Sequence, residues 1–342
     1  MFAPERILIA VDFSPSAAAA LRTGLDLAAR SGAQPHVLHV LPEFAALDPE
    51  VEALYSARER SHRKLARQEA EAELFGFLGR QNGGGEGLVR AVRFGHPATA
   101  VLDYASQHRV GAVVVGMHGR RGLRRLLLGS VASEVLHRST VPVLAVPEPR
   151  TGGRDGQNGE RGAALSQEPP GVLAPTDFSE ASRLALPIAS ALADLYGAPL
   201  DLVHALEPIP HLTPTVELEV LGDLFGELRN HAAAELAREA ARLSPPSEGA
   251  DGVGDSTEGA AVRTHLKSGR AADVVLEAAR ELGSGFIVAA KHSRGALARL
   301  TLGSVTERVC RDAPCPVLVL PHGGPDERPH PAHEAALAHD HE

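Results

Sequence analysis

Residues 112–131 of the chain read AVVVGMHGRRGLRRLLLGSV, and residues 286–305 read FIVAAKHSRGALARLTLGSV. They belong to two segments, 93–147 and 267–321, that align without a gap and are identical at 21 of 55 positions. Each stretch begins with an apolar run of strand length and ends in Leu-Gly-Ser-Val. Self-similarity at a fixed offset indicates a tandem duplication, so the fold of one copy predicts the fold of the other.

The duplication extends to the N-terminal part of each copy. Residues Asp12-Phe13-Ser14 recur, 165 positions later, as Asp177-Phe178-Ser179. Between the copies, residues 149–169 are rich in Gly, Arg, Gln and Pro and are predicted to form a linker. The sequence therefore predicts two domains, a linker and a flexible His-rich tail, with the bounds 1–148, 149–169, 170–322 and 323–342.

Short apolar runs alternate with helix-like segments in each copy. In the first copy these runs are rich in Val, Ile and Leu on both faces, as is typical of strands buried on two sides. The predicted strands are 7–11, 37–41, 88–92, 112–116 and 141–146, and the predicted helices are 16–30, 49–78, 97–108 and 130–138. Five strands alternating with four helices predict an α/β fold with a parallel sheet. Pro142 and Pro316 fall inside the last predicted strands, which places those strands at sheet edges.

The composition limits the class of protein. The chain has 342 residues, of which 44% are hydrophobic and 23% charged, an ordinary balance for globular domains. Its net charge of −9 argues against nucleic-acid binding, and the split into +3 for residues 1–150 and −12 for the rest suggests that the halves meet different partners. Cys310 and Cys315 alone can neither staple a secreted fold nor complete a zinc site. Without a membrane span or a signal-peptide pattern, we expect a cytoplasmic protein that does not bind membranes.

Three features of the first copy converge at the carboxyl ends of the strands, where open parallel sheets bind ligands. They are Asp12 after the first strand, the exit Gly116-Met117-His118-Gly119 of the fourth strand, and Gly129-Ser130 at a helix start. Glycines let backbone N–H groups approach a phosphate, and a helix begun by a Ser130 cap presents N–H groups and a positive dipole. The intervening loop adds basic side chains that could close over phosphate oxygens, at Arg120, Arg121, Arg124 and Arg125. Together these features predict an anion site.

The same residues also have plainer interpretations. Glycines after a strand are often turn residues, loop arginines are most often solvated, and Asp12 equally fits as the cap of the first helix. The recurrence of His118 as His292 suggests catalysis, but no paired nucleophile lies nearby in the sequence, which favours a structural or ligand-lining role. In the second copy, Ser304 and Glu307 have the spacing of a capping box, which would stabilise a helix with or without a ligand.

The pattern Gly116-x2-Gly119-x9-Gly129-Ser130, with the opening ILIAVDFS at 7–14 and the closing VPVLAV at 141–146, resembles the universal stress protein family. The resemblance covers 5–148 and 170–322 and implies two tandem flavodoxin-like, Rossmann-related domains that bind ATP, with or without Mg2+. Beyond Asp12 and Ser130, no residue near the expected phosphates has the character of a base or a metal ligand, so we predict no catalytic residue and no metal site. Carried over by position, the implied nucleotide contacts are Ala10, Val11, Asp12, Val40, Gly116, Met117, His118, Gly119, Arg120, Gly129, Ser130 and Val131.

The second copy departs from this pattern, because Ala290 replaces Gly116 and Ser293 replaces Gly119. The two added Cβ atoms are expected to block the phosphate path, and they would add strain if either position needs a positive φ. Positive charge remains nearby, at Lys291 and Arg294. We therefore predict weak or no ATP binding there; the corresponding weak second site would consist of Thr176, Asp177, Ala205, Gly303, Ser304 and Val305.

The leading functional hypothesis is a nucleotide-binding sensor of the stress response, in which ATP in the first copy orders the arginine-bearing loop and changes how the protein meets its partners. Two alternatives stay open at this point: a slow ATPase that uses the same pocket, and a scaffold that binds no nucleotide. The resemblance also implies that the two copies pair through their last strands, at 141–146 and 315–320, as an internal pseudo-dimer. The sequence leaves open whether two chains form a homodimer.

Overall fold

The computed structural model describes residues 3–42, 49–81, 87–119, 128–148, 171–207, 218–243, 261–291 and 302–321; the predicted linker and tail lie outside them. The first repeat consists of β1 (Arg6–Val11), α1 (Pro15–Ser31), β2 (Gln34–Leu41), α2 (Pro49–Arg80), β3 (Val89–Phe94), α3 (Pro97–Gln107), β4 (Ala112–Gly116), α4 (Ser130–Arg138) and β5 (Val143–Val146). The second repeat consists of β6 (Val172–Pro175), α5 (Glu180–Tyr196), β7 (Leu200–Leu206), α6 (Leu218–Leu243), β8 (Val262–Ser268), α7 (Ala271–Glu281), β9 (Phe286–Ala290), α8 (Ser304–Asp312) and β10 (Val317–Leu320). Within the described ranges, no helix is long and apolar enough to cross a membrane.

The ten strands in the described residues form one sheet with the order β3-β2-β1-β4-β5-β10-β9-β6-β7-β8. All pairs within a repeat are parallel, and the repeats join where β5 pairs antiparallel with β10. In this seam Leu144 lies opposite Leu318. The predicted α/β fold, with five parallel strands and four helices in each copy, is confirmed. The strand order reverses between β1 and β4, and between β6 and β9, which fixes where a ligand site is expected.

The last strand of each repeat is shorter than predicted. Strands β5 and β10 begin at Val143 and Val317, so the prediction that Pro142 and Pro316 lie inside them is wrong. Each proline lies just before its strand and uses only its carbonyl: Pro142 O accepts from the N–H of Val113, and Pro316 O accepts from that of Ile287, both at 2.9 Å. A missing N–H therefore costs no ladder hydrogen bond at either position.

The sheet is buried on both faces by apolar side chains that alternate along the strands. Residues Ile7 and Ile9 face α1 and α2, whereas Leu8 faces α3 and α4. Both apolar layers contain residues of both repeats, for example Leu144 with Leu318 on one face. Because the layers run through the seam, the hydrophobic burial that stabilises one repeat also holds it to the other.

Two polar contacts support the seam. The Tyr196 hydroxyl donates to Asp26 Oδ2 at 2.7 Å, and the Arg30 guanidinium lies 4.5 Å from the centroid of the Tyr196 ring. Burial, and then the hydrogen bond to Asp26, raise the pKa of Tyr196. On the other side, the buried Lys291 ammonium donates to the carbonyl of His137 in the last turn of α4, where a helix favours positive charge. Burial lowers the pKa of Lys291.

Candidate functional site

The exit of β1 forms a tight turn around Asp12. The N–H of Ser14 donates to Asp12 Oδ1 at 3.1 Å, and Ser14 itself caps α1 by accepting from Ala17 N at 3.1 Å. The alternative that Asp12 caps the helix is therefore wrong, because its carboxylate closes the turn that precedes the cap. Asp177 and Ser179 repeat the turn in the second repeat, also at 3.1 Å.

The residue after each aspartate has a backbone conformation that residues other than glycine rarely adopt. The φ angle is +66° at Phe13 and +62° at Phe178. Such strain persists only where the surroundings hold it, and it concentrates at functional sites. Here the Phe13 ring stacks on His39 at 4.3 Å and meets the ring of Phe77 at 5.3 Å. Nothing in the sequence pattern signalled the strained turn.

The start of α4 is held against the exit of β4. The Gly129 N–H donates to Met117 O at 2.7 Å, and a Cβ at Gly129 would lie only 3.0 Å from that oxygen, so a larger residue would have to displace the loop slightly. The N-cap of α4 is Gly129, and no side chain in the described part of the chain caps the helix. The predicted cap at Ser130 is therefore wrong: Ser130 is the exposed first helical residue. An uncapped helix start offers N–H groups to an anion.

Gly116 serves the packing between β4 and α1. A Cβ at this position would lie 2.5 Å from Ser16 Oγ and 2.9 Å from the Ser16 carbonyl carbon. Ser16 joins three elements, because its hydroxyl donates to Val146 O and accepts from the His118 N–H, both at 3.3 Å. The sequence assigned Gly116 to phosphate approach and did not identify Ser16, since a small residue in a first helical turn carries no particular signal.

Gly119 brings the loop after β4 close to the exit of β1. It is exposed, and a Cβ there would lie 3.2 Å from Asp12 Oδ2. Neither Gly116 nor Gly119 has a φ in the left-handed region, so the expected backbone strain from a side chain at either position is absent. At Gly119 what remains is close approach: an added side chain would crowd the Asp12 carboxylate.

His118 has unused hydrogen-bonding capacity between these two glycines. Both of its ring nitrogens are buried, and neither has a hydrogen-bond partner among the residues that the structure describes. A buried polar atom without a partner is costly and calls for an explanation such as a ligand. Its place in the loop, beside Asp12 and the start of α4, fits the ligand-lining role that the sequence favoured.

The remaining predicted contacts divide by the direction of their side chains. Ala10, Val40 and Val131 are half-buried and pack on the face of the sheet that α3 and α4 cover. The side chains of Val11 and Met117 are buried, so only their backbone can contact a ligand. Arg120 and the other loop arginines lie outside the described residues. Among those described, no three His, Cys, Asp or Glu side chains form a group that could hold a metal ion.

The second repeat keeps the backbone plan but places its side chains differently. Ala290 stands at the position of Gly116, and Ala181, which has no hydroxyl, stands at the position of Ser16. Lys291 donates to the first repeat across the seam, so the expectation that it keeps positive charge at an anion site is wrong. Thr176 is buried, with its hydroxyl 3.2 Å from that of Ser182, and Ala205 is half-buried. Ser293, Arg294 and His292 lie outside the described residues.

The start of α8 matches that of α4. The N–H of Gly303 donates to Lys291 O at 2.9 Å, and Gly303 is the N-cap without a side-chain hydrogen bond. The predicted capping box of Ser304 and Glu307 is therefore wrong. Ser304 is the exposed first residue of the helix, and Val305 is also exposed, whereas its counterpart Val131 is half-buried.

Comparisons with known proteins agree with this architecture. The model of the universal stress protein family matches residues 4–147 and 171–321. A universal stress protein of Mycolicibacterium smegmatis is 26% identical over 92% of this chain and 96% of its own length, and one of Thermus aquaticus is 32% identical over 44% of this chain and 96% of its own length. The crystal structure of a universal stress protein from Archaeoglobus fulgidus covers 93% of this chain and 99% of its own, with a TM-score of 0.54 at 20% identity. The chain belongs to the universal stress protein family and contains its domain twice in tandem.

Proposed function

We propose that the first repeat binds ATP and that the protein acts as a nucleotide-dependent regulator of the stress response. The observation that carries this proposal is the uncapped, nine-residue helix α4, whose start lies against the exit of β4 through the bond from Gly129 to Met117. Its N–H groups and the exposed Ser130 hydroxyl can donate to phosphate oxygens. That the anion is ATP is an inference from the family resemblance.

Each part of the nucleotide has a complementary group in this arrangement. The Asp12 carboxylate can accept hydrogen bonds from ribose hydroxyls, and the half-buried Ala10 and Val40 offer an apolar surface to the base. The His118 ring nitrogens supply further hydrogen bonds to a bound ligand. Mg2+ would arrive with the triphosphate and offset its charge. We infer that occupancy of this site changes how the protein meets its partners.

Calorimetric titration of the full chain with MgATP tests the proposal. We expect about one ATP per chain. The Gly119→Ser variant, which introduces the residue of the second repeat, should bind at least about tenfold more weakly because its side chain crowds Asp12. Gly79→Ala is the matched control, since no atom of the described residues lies within 4 Å of the added Cβ. Unchanged affinity in Gly119→Ser, or two ATP per chain, would contradict the proposal.

Two further measurements separate the alternatives. Chromatography of the bound nucleotide after incubation with Mg2+ should return ATP in a regulator, whereas conversion to ADP supports the slow ATPase. cAMP has the same adenosine but a single phosphate, so it should compete weakly if the start of α4 holds the outer phosphates. Equal affinity for cAMP and ATP would place the recognition in the adenosine alone. If neither ATP nor cAMP binds, the result would support the scaffold alternative.

A further inference from the structure

Helices α4 and α8 have the same length but differ in their charges. Helix α4 has no acidic residue in its first turn, and its last turn contains His137 and Arg138. Helix α8 has Glu307 in its first turn and ends at Asp312, which stands at the position of Arg138. A helix start attracts anions, and a carboxylate in the first turn opposes a second negative group there. By charge alone, the start of α4 is therefore the better place for a phosphate.

The second repeat adds one more cation to the end of α4. Lys291 directly follows β9, and its side chain crosses the seam, where Nζ donates to the carbonyl oxygen of His137. Lys291 is only 6% exposed. The residue at the same position of the first repeat is Met117, which has no charge to offer α8. The seam thus gives a buried ammonium to α4 and no equivalent to α8.

The Lys291 ammonium is not paired with a carboxylate in the part of the chain that the structure describes. Glu134, the carboxylate of α4, pairs with the Arg138 guanidinium instead. The charge of Lys291 is offset only by the negative end of the α4 dipole, where the last carbonyl groups have no partners within the helix. Burial lowers the pKa of Lys291, because removal from water disfavours the charged form. An anion bound to the same helix would offset this cost.

The ammonium and a phosphate at Ser130 would lie at opposite ends of one short helix. The nine residues of α4 span about 13 Å, since each residue adds about 1.5 Å. The side chains of Ala132, Val135 and Leu136 between the two ends are buried, so the interaction runs partly through protein, which screens charge less than water does. At an effective dielectric constant of about 20, two unit charges about 13 Å apart change each other's binding by roughly tenfold, and salt reduces this effect.

We propose that the Lys291 ammonium of the second repeat strengthens the binding of the triphosphate to the first repeat by placing a positive charge at the far end of α4. This inference rests on the proposed ATP site and assigns part of its affinity to a residue outside the first repeat. Because the effect is electrostatic, it acts on the phosphates and not on the adenosine. Lys291 therefore favours ATP over adenosine without touching either of them.

Calorimetric titrations of three full-length variants with MgATP, and with adenosine in competition, test the proposal. Lys291→Met introduces the residue of the first repeat, Lys291→Gln removes the charge but keeps a donor for the His137 carbonyl, and Lys291→Arg keeps both charge and donor. We expect the Met and Gln variants to bind MgATP about three- to tenfold more weakly than the wild type, and the Arg variant to bind within about twofold of it. Adenosine has no charge, so its affinity should be the same in all four proteins.

Lys267→Met is the matched control, because it removes a lysine of the same repeat that pairs with Glu281 in β8, at the outer edge of the sheet. It should leave the affinity for MgATP unchanged. An unchanged MgATP affinity in Lys291→Gln, or an equal loss of affinity for MgATP and adenosine, would overturn the inference and leave the ATP site in place. If the wild type binds no MgATP, the inference and the proposed function both fall.

Discussion

The two repeats solve the contact between a helix and a strand in different ways. In the first, the hydroxyl of Ser16 fills the space beside Gly116; in the second, Ala181 lacks the hydroxyl and Ala290 supplies a Cβ. The group at this contact is a serine hydroxyl on the helix in the first repeat and an alanine methyl on the strand in the second. We therefore expect that the missing hydroxyl makes room for the Cβ of Ala290, so that the loss of a motif glycine does not by itself indicate a blocked site.

The differences that bear on ligands lie elsewhere. Met117 is buried within its own repeat, whereas its counterpart Lys291 crosses the seam to the carbonyl of His137. On the opposite face, the spacing of the buried residues places Glu239 of α6, which is 1% exposed, where α2 has Phe77. A duplicated fold has thus kept its backbone and changed which faces carry charge, which makes each repeat a built-in control for the other.

The largest effect is expected from truncation of the aromatic contact that the second repeat lacks. Phe77→Ala should lower the free energy of unfolding by about 3–5 kcal/mol, because it removes a buried ring that packs on Phe13. Urea unfolding followed by circular dichroism measures the change. Phe75→Ala, at a ring on the same helix that is 66% exposed, should cost less than about 1 kcal/mol. Equal losses in the two variants would show that Phe77 does not stabilise the core as described.

The effects of Gly116→Ala and Ser16→Ala on the free energy of unfolding should be strongly coupled. Gly116→Ala should cost about 1–3 kcal/mol through overpacking against Ser16. In the Ser16→Ala background, which copies the second repeat, the same change should cost less, although the backbone of Ser16 and Ala17 still lies within 3.0 Å of the new Cβ. A double-mutant cycle from urea unfolding measures the coupling. Strictly additive losses would refute the compensation.

The seam should respond to the loss of one hydroxyl. Tyr196→Phe removes the bond to Asp26 and should cost about 1 kcal/mol. Tyr104→Phe is a matched control, because its hydroxyl bonds to His36 Nδ1 at 2.9 Å within the first repeat. Hydrogen exchange should accelerate near the seam in the first variant only. Similar exchange patterns in both variants would indicate that Tyr196 does not hold the repeats together.

The last prediction concerns pH and belongs to the second repeat, where Cys310 and Cys315 are free and buried at positions that Leu136 and Val141 occupy in the first. Burial raises the pKa of both thiols from 9.0 to about 12. The unfolded state thus loses these protons first, and their contribution to stability, complete below pH 9, should be lost as the pH rises towards 12. Urea unfolding across this range should show a shallower decline in a variant that combines Cys310→Ala and Cys315→Ala. If stability declined equally steeply with pH in the wild type and in the variant, the two thiols would not be buried as described.

Much of the fold could be predicted because its signals are local. Strand β4 and helix α4 have the bounds that the apolar run and the Gly-Ser start predict, and the duplication transfers both to the second repeat. The last strands were predicted too long, since an apolar run continues through Pro142 although the ladder begins only at Val143. Periodicity reports burial, and a residue can be buried just outside a strand.

The site was less predictable because its geometry depends on contacts between distant segments. Serine next to glycine resembles a helix cap, but the hydrogen bond of Gly129 to Met117 makes glycine the cap and leaves Ser130 exposed. The position of Lys291 depends on the seam, which a single repeat does not encode. The positive φ of Phe13 depends on stacking with His39, far along the chain. The sequence pattern therefore indicates which segments form the site, whereas tertiary packing determines which groups each segment contacts.

The central claim is that the first repeat binds ATP at the start of α4 and the second does not bind it at α8. Hydrogen exchange with mass spectrometry, with and without MgATP, tests it in one experiment because the two helices serve as internal references. We predict slower exchange at Ser130–Ala132 and at the exit of β1, with no change at Ser304–Thr306. Equal protection of both helix starts, or protection of α8 alone, would contradict it.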